Sequence, residues 1–251
     1  MYYVEVLYAR NRLFWFTAFA LLVGAVFTYF VTFPPPHAHV TNNGQDVPFN
    51  GVLVFAGFFA CIMASMLGAT LNRDQSHLPY MWTKPISRER IAFTYIVIDV
   101  LAILTSFAVA VGVCVLVLSM PPQNHVTFDE RTGPLLARSL AFPLMLYGVI
   151  EATTSWAPVR LAAAGGIIWP IGIGIDFLAS INLPFPLAQI FYVLNVINPI
   201  AYITGLSVHG HVDISSSTTL PLDFNGQTML AFGIFVVGCI IATYNWKRMQ
   251  A

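Results

Sequence analysis

The sequence predicts an all-α polytopic membrane protein. Of the 251 residues, 57% are apolar and only 9% are charged, whereas an ordinary soluble domain carries roughly 25% charged residues. Apolar runs without a charge recur along the chain, and a helix needs about 20 such residues to cross a bilayer. Lys plus Arg and Asp plus Glu number 11 each, so the chain has no basic field that would hold nucleic acid. We therefore predict a single transmembrane domain over residues 1–251 and no nucleic-acid partner.

The first twelve residues, MYYVEVLYARNR, mix aromatic and aliphatic side chains with three charges. This composition suits a short helix lying in the inner membrane interface, although a frayed polar leader fits it as well. The apolar run that follows has 21 residues, more than the roughly 7–15 residue core of a signal peptide, and no small-residue cleavage site follows it. We expect this segment to be retained as the first span.

Six segments are predicted to cross the membrane. Three contain no charge, and each of the others contains one carboxylate: Asp99, Glu151 or Asp176. Two of the charged segments also contain a proline, Pro143 or Pro170, at which a kink is expected. The predicted spans are residues 13–33, 51–71, 91–120, 139–157, 161–181 and 228–246.

Residues 183–206 are uncharged and could form a seventh span, but Pro184, Pro186 and Pro199 interrupt them. Charge placement separates the two topologies. Six spans put 9 of the 11 Lys and Arg residues on the side of the N-terminus, whereas seven spans put only 7 there, and cytoplasmic loops are enriched in these residues. We predict six spans in the inner (plasma) membrane with both termini cytoplasmic, and a re-entrant helical hairpin over residues 183–206 at the outer side.

The inner loop over residues 72–90 is unusual for a connector. Tyr80, Met81 and Trp82 lie there among several charged residues. Aromatic and Met anchors in a charged frame are typical of a protein-docking surface. Alternatively, the aromatic side chains rest at the depth of the lipid headgroups, and the residues alone leave both readings open.

Two segments resemble motifs of a known family. Residues 82–91, WTKPISRERI, resemble the L-P-[VI]-S-R-x-x-[IL] turn that opens the third span of permeases in the type-2 ABC exporter family. Residues 197–206, INPIAYITGL, are similar to the outer N-P-[LI]-x-Y segment of the same family and contain Asn198, Pro199 and Tyr202. The predicted layout also resembles this family, with its interfacial helix, six spans, coupling loop and outer hairpin.

The resemblance implies half of a dimeric pore that is driven by a separate cytoplasmic ABC ATPase subunit. The second permease subunit would be an identical copy or a paralogue, and the usual direction is export of an amphipathic or apolar substrate. Coupling to the ATPase would use Tyr80, Met81, Trp82, Lys84, Pro85, Ser87 and Arg88.

The chain does not contain the motif that it would need to bind ATP itself. A phosphate-binding loop requires Gly-Lys followed by Ser or Thr, but Lys84 follows Thr83 and Lys247 follows Trp246. We therefore expect no enzyme activity and no cofactor on this chain, with ATP and Mg on the partner subunit. The histidines of the outer loops are expected to be solvated rather than metal-bound.

Asp99 and Asp176 are the other candidate functional residues, because a carboxylate inside a bilayer needs a partner or a wet cavity. Each either lines the translocation pathway or forms a hydrogen bond to Thr or Ser on an adjacent helix. The alternative function is a secondary transporter or channel that uses both carboxylates. Glu151 is expected to extend towards the inner interface, and close helix packing is expected in the Gly-rich span over residues 161–181.

Overall fold

The computed structural model describes residues 10–11, 13–17, 19, 22, 46–68, 87–118, 125–128, 130, 132–156, 161–181, 184–196, 198 and 224–248. Residues 10–22 are helical wherever they are described. The further elements are strands β1 (Asp46–Pro48) and β2 (His125–Thr127) and helices α1 (Phe49–Leu67), α2 (Arg88–Leu118), α3 (Thr132–Trp156), α4 (Leu161–Ser180), α5 (Leu187–Val196) and α6 (Phe224–Arg248).

Four of these helices are long and apolar enough to cross a membrane. They are α1, α2, α3 and α6, and they coincide with four of the predicted spans. The prediction of an all-helical polytopic membrane protein therefore agrees with the structure. The described residues give four spans rather than six, because residues 13–33 lie mostly outside them and the apolar helix found within α4 is the shorter segment Trp169–Ala179. Pro143 and Pro170 lie inside α3 and α4 without ending them.

Helices α1 and α3 form the centre of the bundle and run parallel. The hydroxyl of Thr132 donates to Oδ1 of Asn50 at 3.2 Å, between residues 82 positions apart. Gly68, at the other end of α1, lies against the side chain of Ile150. These two residues are also 82 positions apart. A constant offset between contacting residues occurs only when two helices run in the same direction.

The largest fully buried side chains lie on these two helices and on α2. Because lipid tails are as apolar as the core itself, such packing stabilises membrane helices mainly through van der Waals contact. These side chains are Leu53, Met63, Leu67, Ile91, Ile103, Leu135, Phe142, Met145, Leu146, Tyr147 and Ile150.

Helix α6 runs parallel to α3 and crosses it at two glycines. A Cβ atom added to Gly238 would lie 2.6 Å from the carbonyl carbon and 3.0 Å from the Cα atom of Gly148. No side chain fits at this crossing, so the two backbones are in contact. The side-chain amide of Asn245 donates to Ser155 Oγ at 3.1 Å. These two residues are 90 positions apart, as are Gly148 and Gly238, so the two helices run in the same direction. The closest approach of two helices among the glycines that the structure describes therefore lies here.

Helix α2 runs antiparallel to α6. Near its first turn, Glu89 forms an ion pair with Lys247, and Tyr95 packs against Trp246 with 6.3 Å between the ring centroids. The start of α2 and the end of α6 therefore lie at the same end of the bundle. Helices α1, α3 and α6 run in one direction and α2 runs in the other.

A two-stranded parallel sheet, which the sequence analysis did not predict, precedes α1 and α3. Asp46 of β1 pairs with His125 of β2, and the register continues for three residues. Just beyond the strands, the rings of Phe49 and Phe128 lie 4.9 Å apart. The pairing is parallel because each strand leads into one of two parallel helices. Segments of three residues are too short to show the alternation by which a strand is recognised.

Helix α5 folds back along α4. Asp176 of α4 is bonded to Asn195 of α5, and Gly172 is bonded to Asn198, so the two helices are antiparallel. With 10 residues, α5 is about 15 Å long, too short to cross a bilayer. The described part of residues 183–206 therefore contains one short helix instead of the predicted helical hairpin, and residues 199–206 lie outside the described residues.

Candidate functional site

A buried carboxylate links α2 to α3 inside the bundle. Asp99 is 0% exposed, and the hydroxyl of Tyr147 donates to its Oδ2 atom at 3.1 Å. Asp99 lies 11 residues after the start of α2, about 16 Å along the helix. A carboxylate at such depth costs at least about 2.5 kcal/mol unless a donor or water compensates it. One partner of Asp99 is therefore a tyrosine, a residue type that the sequence analysis did not predict.

Glu151 is also buried, which corrects the prediction that it extends to the interface. It is only 1% exposed and follows Tyr147 by one helical turn, so both side chains lie on the same face of α3. Cys239 of α6 is close enough to both residues to interact with them electrostatically. The reason is the position of α3, the most buried of the four spans, which has α1 and α6 packed against it. We refer to Asp99, Tyr147 and Glu151 as the buried polar group.

The buried polar group can fix the position of two helices and can form hydrogen bonds with a solute. Its hydrogen bond between Tyr147 and Asp99 fixes the relative position of α2 and α3 because breaking it leaves a desolvated oxygen in an apolar surrounding. Its carboxyl and phenol groups can also exchange hydrogen bonds with a polar part of a solute that enters the bundle.

Arg138 is a further buried ionisable residue on α3. It is 3% exposed, and its guanidinium carbon lies 5.1 Å from the ring centroid of Phe142 one turn later. Arg138 precedes Tyr147 by nine residues, about 13 Å along the helix. Helix α3 therefore carries a buried cation in its first half and a buried carboxylate in its second half.

A second polar network joins α4 to α5 and consists of Asp176, Asn195, Asn198 and the carbonyl of Gly172. The side-chain amide of Asn195 donates to Asp176 Oδ1 at 3.2 Å. The amide of Asn198 donates to the carbonyl oxygen of Gly172 at 2.8 Å and to Asn195 Oδ1 at 3.0 Å. Both asparagines are buried. Asn198 of the predicted outer motif therefore connects the end of α5 to α4 by hydrogen bonds. Pro199 and Tyr202 of that motif lie outside the described residues.

The predicted coupling segment is described only at its end. Ser87 acts as the N-cap of α2, since its hydroxyl accepts a hydrogen bond from the backbone N–H of Arg90 at 3.4 Å and its carbonyl accepts one from Ile91. Arg88 is the first residue of α2, so the helix begins inside the loop that was predicted to extend to residue 90. The other predicted coupling residues lie outside the described residues: Tyr80, Met81, Trp82, Lys84 and Pro85.

The structure does not bring the two predicted pathway carboxylates together. Asp99 bonds to α3 in the half of the bundle where α2 begins, whereas Asp176 bonds to α5 only four residues before the end of α4. The sequence analysis missed Tyr147 and Asn195 as their partners. The spacing of Tyr147 and Glu151 by four residues was a usable signal, because it places two polar groups on one face of an apolar helix.

Metal binding has no support in the part of the chain that the structure describes. No three His, Cys, Asp or Glu residues there are close enough to hold an ion together. His125 lies in β2, and the other histidines lie outside the described residues.

Comparison with protein-family models, with curated proteins and with solved structures gives no match for this chain. Its function is therefore argued from the motifs and the geometry given above.

Proposed function

We propose that this chain is the transmembrane subunit of an ATP-driven ABC transporter of the type-2 exporter class. It forms half of a translocation pore and exports an amphipathic or apolar substrate, and a separate cytoplasmic ATPase binds ATP and Mg. The observation that carries the proposal is the start of α2. Ser87 and Arg88, the central residues of the family-like motif, cap and open a 31-residue helix that begins within the last residues of the predicted coupling loop.

The helix directions support the six-span layout of this class. Helices α3 and α6 are parallel, so the chain between them must cross the membrane an odd number of times. Helix α4 is the natural single crossing, and α5 then turns back beside it without crossing. A seventh continuous span over residues 183–206 would make α6 antiparallel to α3, contrary to the observed contacts.

Coupling would act through α2. Closure of the ATPase would move the loop that precedes Ser87, and α2 would carry this movement into the bundle. Near its start α2 contacts α6 through Tyr95 and Trp246, and deeper it contacts α3 through Asp99. For such transmission the ATP-bound motor must favour one permease state over the other by a few kcal/mol.

The alternative, a secondary transporter or channel, has less support. It would pass protons or cations along Asp99 and Asp176, yet these residues bond to different helices at different depths. A secondary carrier also needs no docking loop, whereas an ABC permease depends on one. The remaining parts of the proposal rest on the sequence: the placement of Lys and Arg supports cytoplasmic termini, and the resemblance to type-2 exporters supports an inner-membrane location and pairing with a second permease subunit.

Co-purification tests the proposal. The tagged full chain would be isolated in mild detergent from its native host, together with a Tyr80→Ala, Trp82→Ala, Arg88→Glu variant, and the bound proteins would be identified by mass spectrometry. We expect a stoichiometric ABC ATPase with the wild type and none with the variant. ATP hydrolysis by the recovered complex should then depend on this chain.

A matched control uses an exposed aromatic residue at the opposite end of the bundle. Phe128 is 70% exposed and lies beyond β2, so Phe128→Ala should retain the ATPase. Monodisperse elution of all variants shows that they are folded. A stable wild-type protein that recovers no ATPase would refute the proposal.

A further inference from the structure

The start of α2 and the end of α6 are locked together by contacts between residues that are far apart in sequence. Glu89 and Lys247 form an ion pair of 2.6 Å, although their side chains are 51% and 64% exposed. Beneath this pair, Trp246 is buried and packs against Tyr95. The start of α2 and the end of α6 therefore form a single exposed surface at one end of the bundle.

This surface carries a positive charge that the ion pair does not neutralise. Arg90 directly follows Glu89, Arg248 directly follows Lys247, and both arginines are exposed. The guanidinium carbon of Arg248 lies 4.6 Å from the ring centroid of Tyr244, a stacking contact that restricts its position. Together with the ion pair, these residues give three cations against one carboxylate, a local net charge of +2. We call Glu89, Arg90, Lys247 and Arg248 the basic patch.

The basic patch lies at the ends of two candidate membrane spans, the position at which lipid headgroups would meet them. Both helices are candidate spans, and Ile91, the next residue of α2, is already buried. Below Arg248, the outward face of α6 is an apolar stripe that repeats with helical spacing through Val237, Ile240 and Tyr244, all at least half exposed. A cationic end above an apolar stripe matches the shape of a phospholipid, with its phosphate at the patch and its acyl chains along the helix.

We propose that the basic patch binds the phosphate of an anionic phospholipid. Arg is suited to phosphate because its planar guanidinium donates two parallel hydrogen bonds. The lipid, and not an acidic protein, is the favoured partner because the apolar stripe continues directly from the patch into the membrane. The ion pair has a second role in this site, since Glu89 neutralises one of the three cations and so limits the affinity.

The test uses the full chain purified in a neutral detergent, without any ATPase. Native mass spectrometry measures the binding of phosphatidylglycerol, with phosphatidylcholine as the neutral lipid. Each cation near an anionic headgroup contributes a factor of roughly five. We expect the wild type to prefer phosphatidylglycerol, and Arg90→Gln with Arg248→Gln to weaken its binding roughly 25-fold, whereas the binding of phosphatidylcholine should change much less because its choline cancels the charge of its phosphate.

Two further variants separate this site from a general effect of charge or folding. Glu89→Gln releases Lys247 and should strengthen phosphatidylglycerol binding by roughly fivefold, a gain that an unfolded protein would not give. Glu130→Gln removes an exposed carboxylate beyond β2, far from the patch, and should change nothing.

Three results would overturn the proposal. The first is equal binding of phosphatidylglycerol and phosphatidylcholine by the wild type. The second is unchanged phosphatidylglycerol binding in the double arginine variant, which is the result expected if these arginines only contact an ATPase. The third is competition by glycerol phosphate at the same concentration as the lipid, which would indicate an anion site that does not need the acyl chains.

Discussion

The crossing of α3 and α6 at Gly148 and Gly238 is the most sharply testable feature of the fold. We consider Gly238→Ala, which adds one methyl group at the point where the two backbones meet. The new Cβ atom would lie 2.6 Å from the carbonyl carbon of Gly148, against a normal separation of about 3.5–4.0 Å between carbon atoms. Because its neighbour is backbone and not a flexible side chain, the helices must separate by about 1 Å.

The cost follows from that separation. Overpacking a well-packed core costs about 1–3 kcal/mol, and a gap of this size forfeits a quarter to a half of each lost van der Waals contact. Since α3 and α6 are in contact along much of their length, we take the upper end of the overpacking cost, about 3 kcal/mol. Alanine recovers at most about 1 kcal/mol over glycine in a helix. The net loss is about 2 kcal/mol, or a decrease of about 4–8 °C in Tm for a chain of this size.

The assay is thermal unfolding of the purified protein in detergent, followed by loss of the monodisperse peak in size-exclusion chromatography. Gly148→Ala should behave like Gly238→Ala, because its Cβ atom would lie 2.9 Å from the Cα atom of Phe235. The matched control is Gly233→Ala on the same helix, where an added Cβ atom meets nothing within 4 Å. This control should keep or slightly raise the Tm. A Tm for Gly238→Ala within about one degree of wild type, or an equal decrease in the control, would refute the reasoning.

Three further predictions concern the polar contacts. Tyr147→Phe removes the donor to Asp99 and should lower the unfolding free energy by about 1–3 kcal/mol; thermal unfolding measures this, and the decrease should largely disappear in the background of Asp99→Ala, which has no acceptor for the tyrosine hydroxyl. Asn195→Ala removes the bond to Asp176 and should speed hydrogen exchange in α5 but not in α3, as measured by mass spectrometry. Ser87→Ala removes the N-cap of α2 at a cost of about 1 kcal/mol, and exchange should rise only in the first turn of that helix.

Each of these variants has its own control on the same chain. Tyr192→Phe removes an exposed hydroxyl from α5 and should leave the Tm unchanged. Gln189→Ala changes an exposed side chain of α5 and should not alter exchange there. Ser87→Asp keeps an N-cap acceptor and should preserve the first turn of α2. The assigned contacts would be contradicted if Tyr192→Phe lowered the Tm as much as Tyr147→Phe does. They would also be contradicted if hydrogen exchange rose throughout the bundle in the Asn195 or Ser87 variants.

The sequence by itself determined where the four helices that are long and apolar enough to cross a membrane lie: α1, α2, α3 and α6. Apolar runs of about 20 residues have few alternatives to a helix in lipid, because every backbone polar group must be satisfied within the segment. The sequence also placed the start of α2 close to its position, because charged residues give way to apolar ones at Ile91, whereas the helix itself begins at Arg88 after the N-cap Ser87. These signals are local and do not depend on the neighbouring helices.

Only the tertiary structure decided which face of each helix meets which partner. In a soluble helix, polar residues mark the outer face, but a membrane helix is apolar towards lipid and towards protein alike, so periodicity does not reveal its direction. For this reason Glu151 was expected at the interface and is buried, and the contact of Gly148 with Gly238 was not foreseen. The parallel pairing of β1 with β2 and the meeting of Glu89 with Lys247 likewise join residues that are distant along the chain, because parallel or antiparallel packing of whole helices brings their ends together.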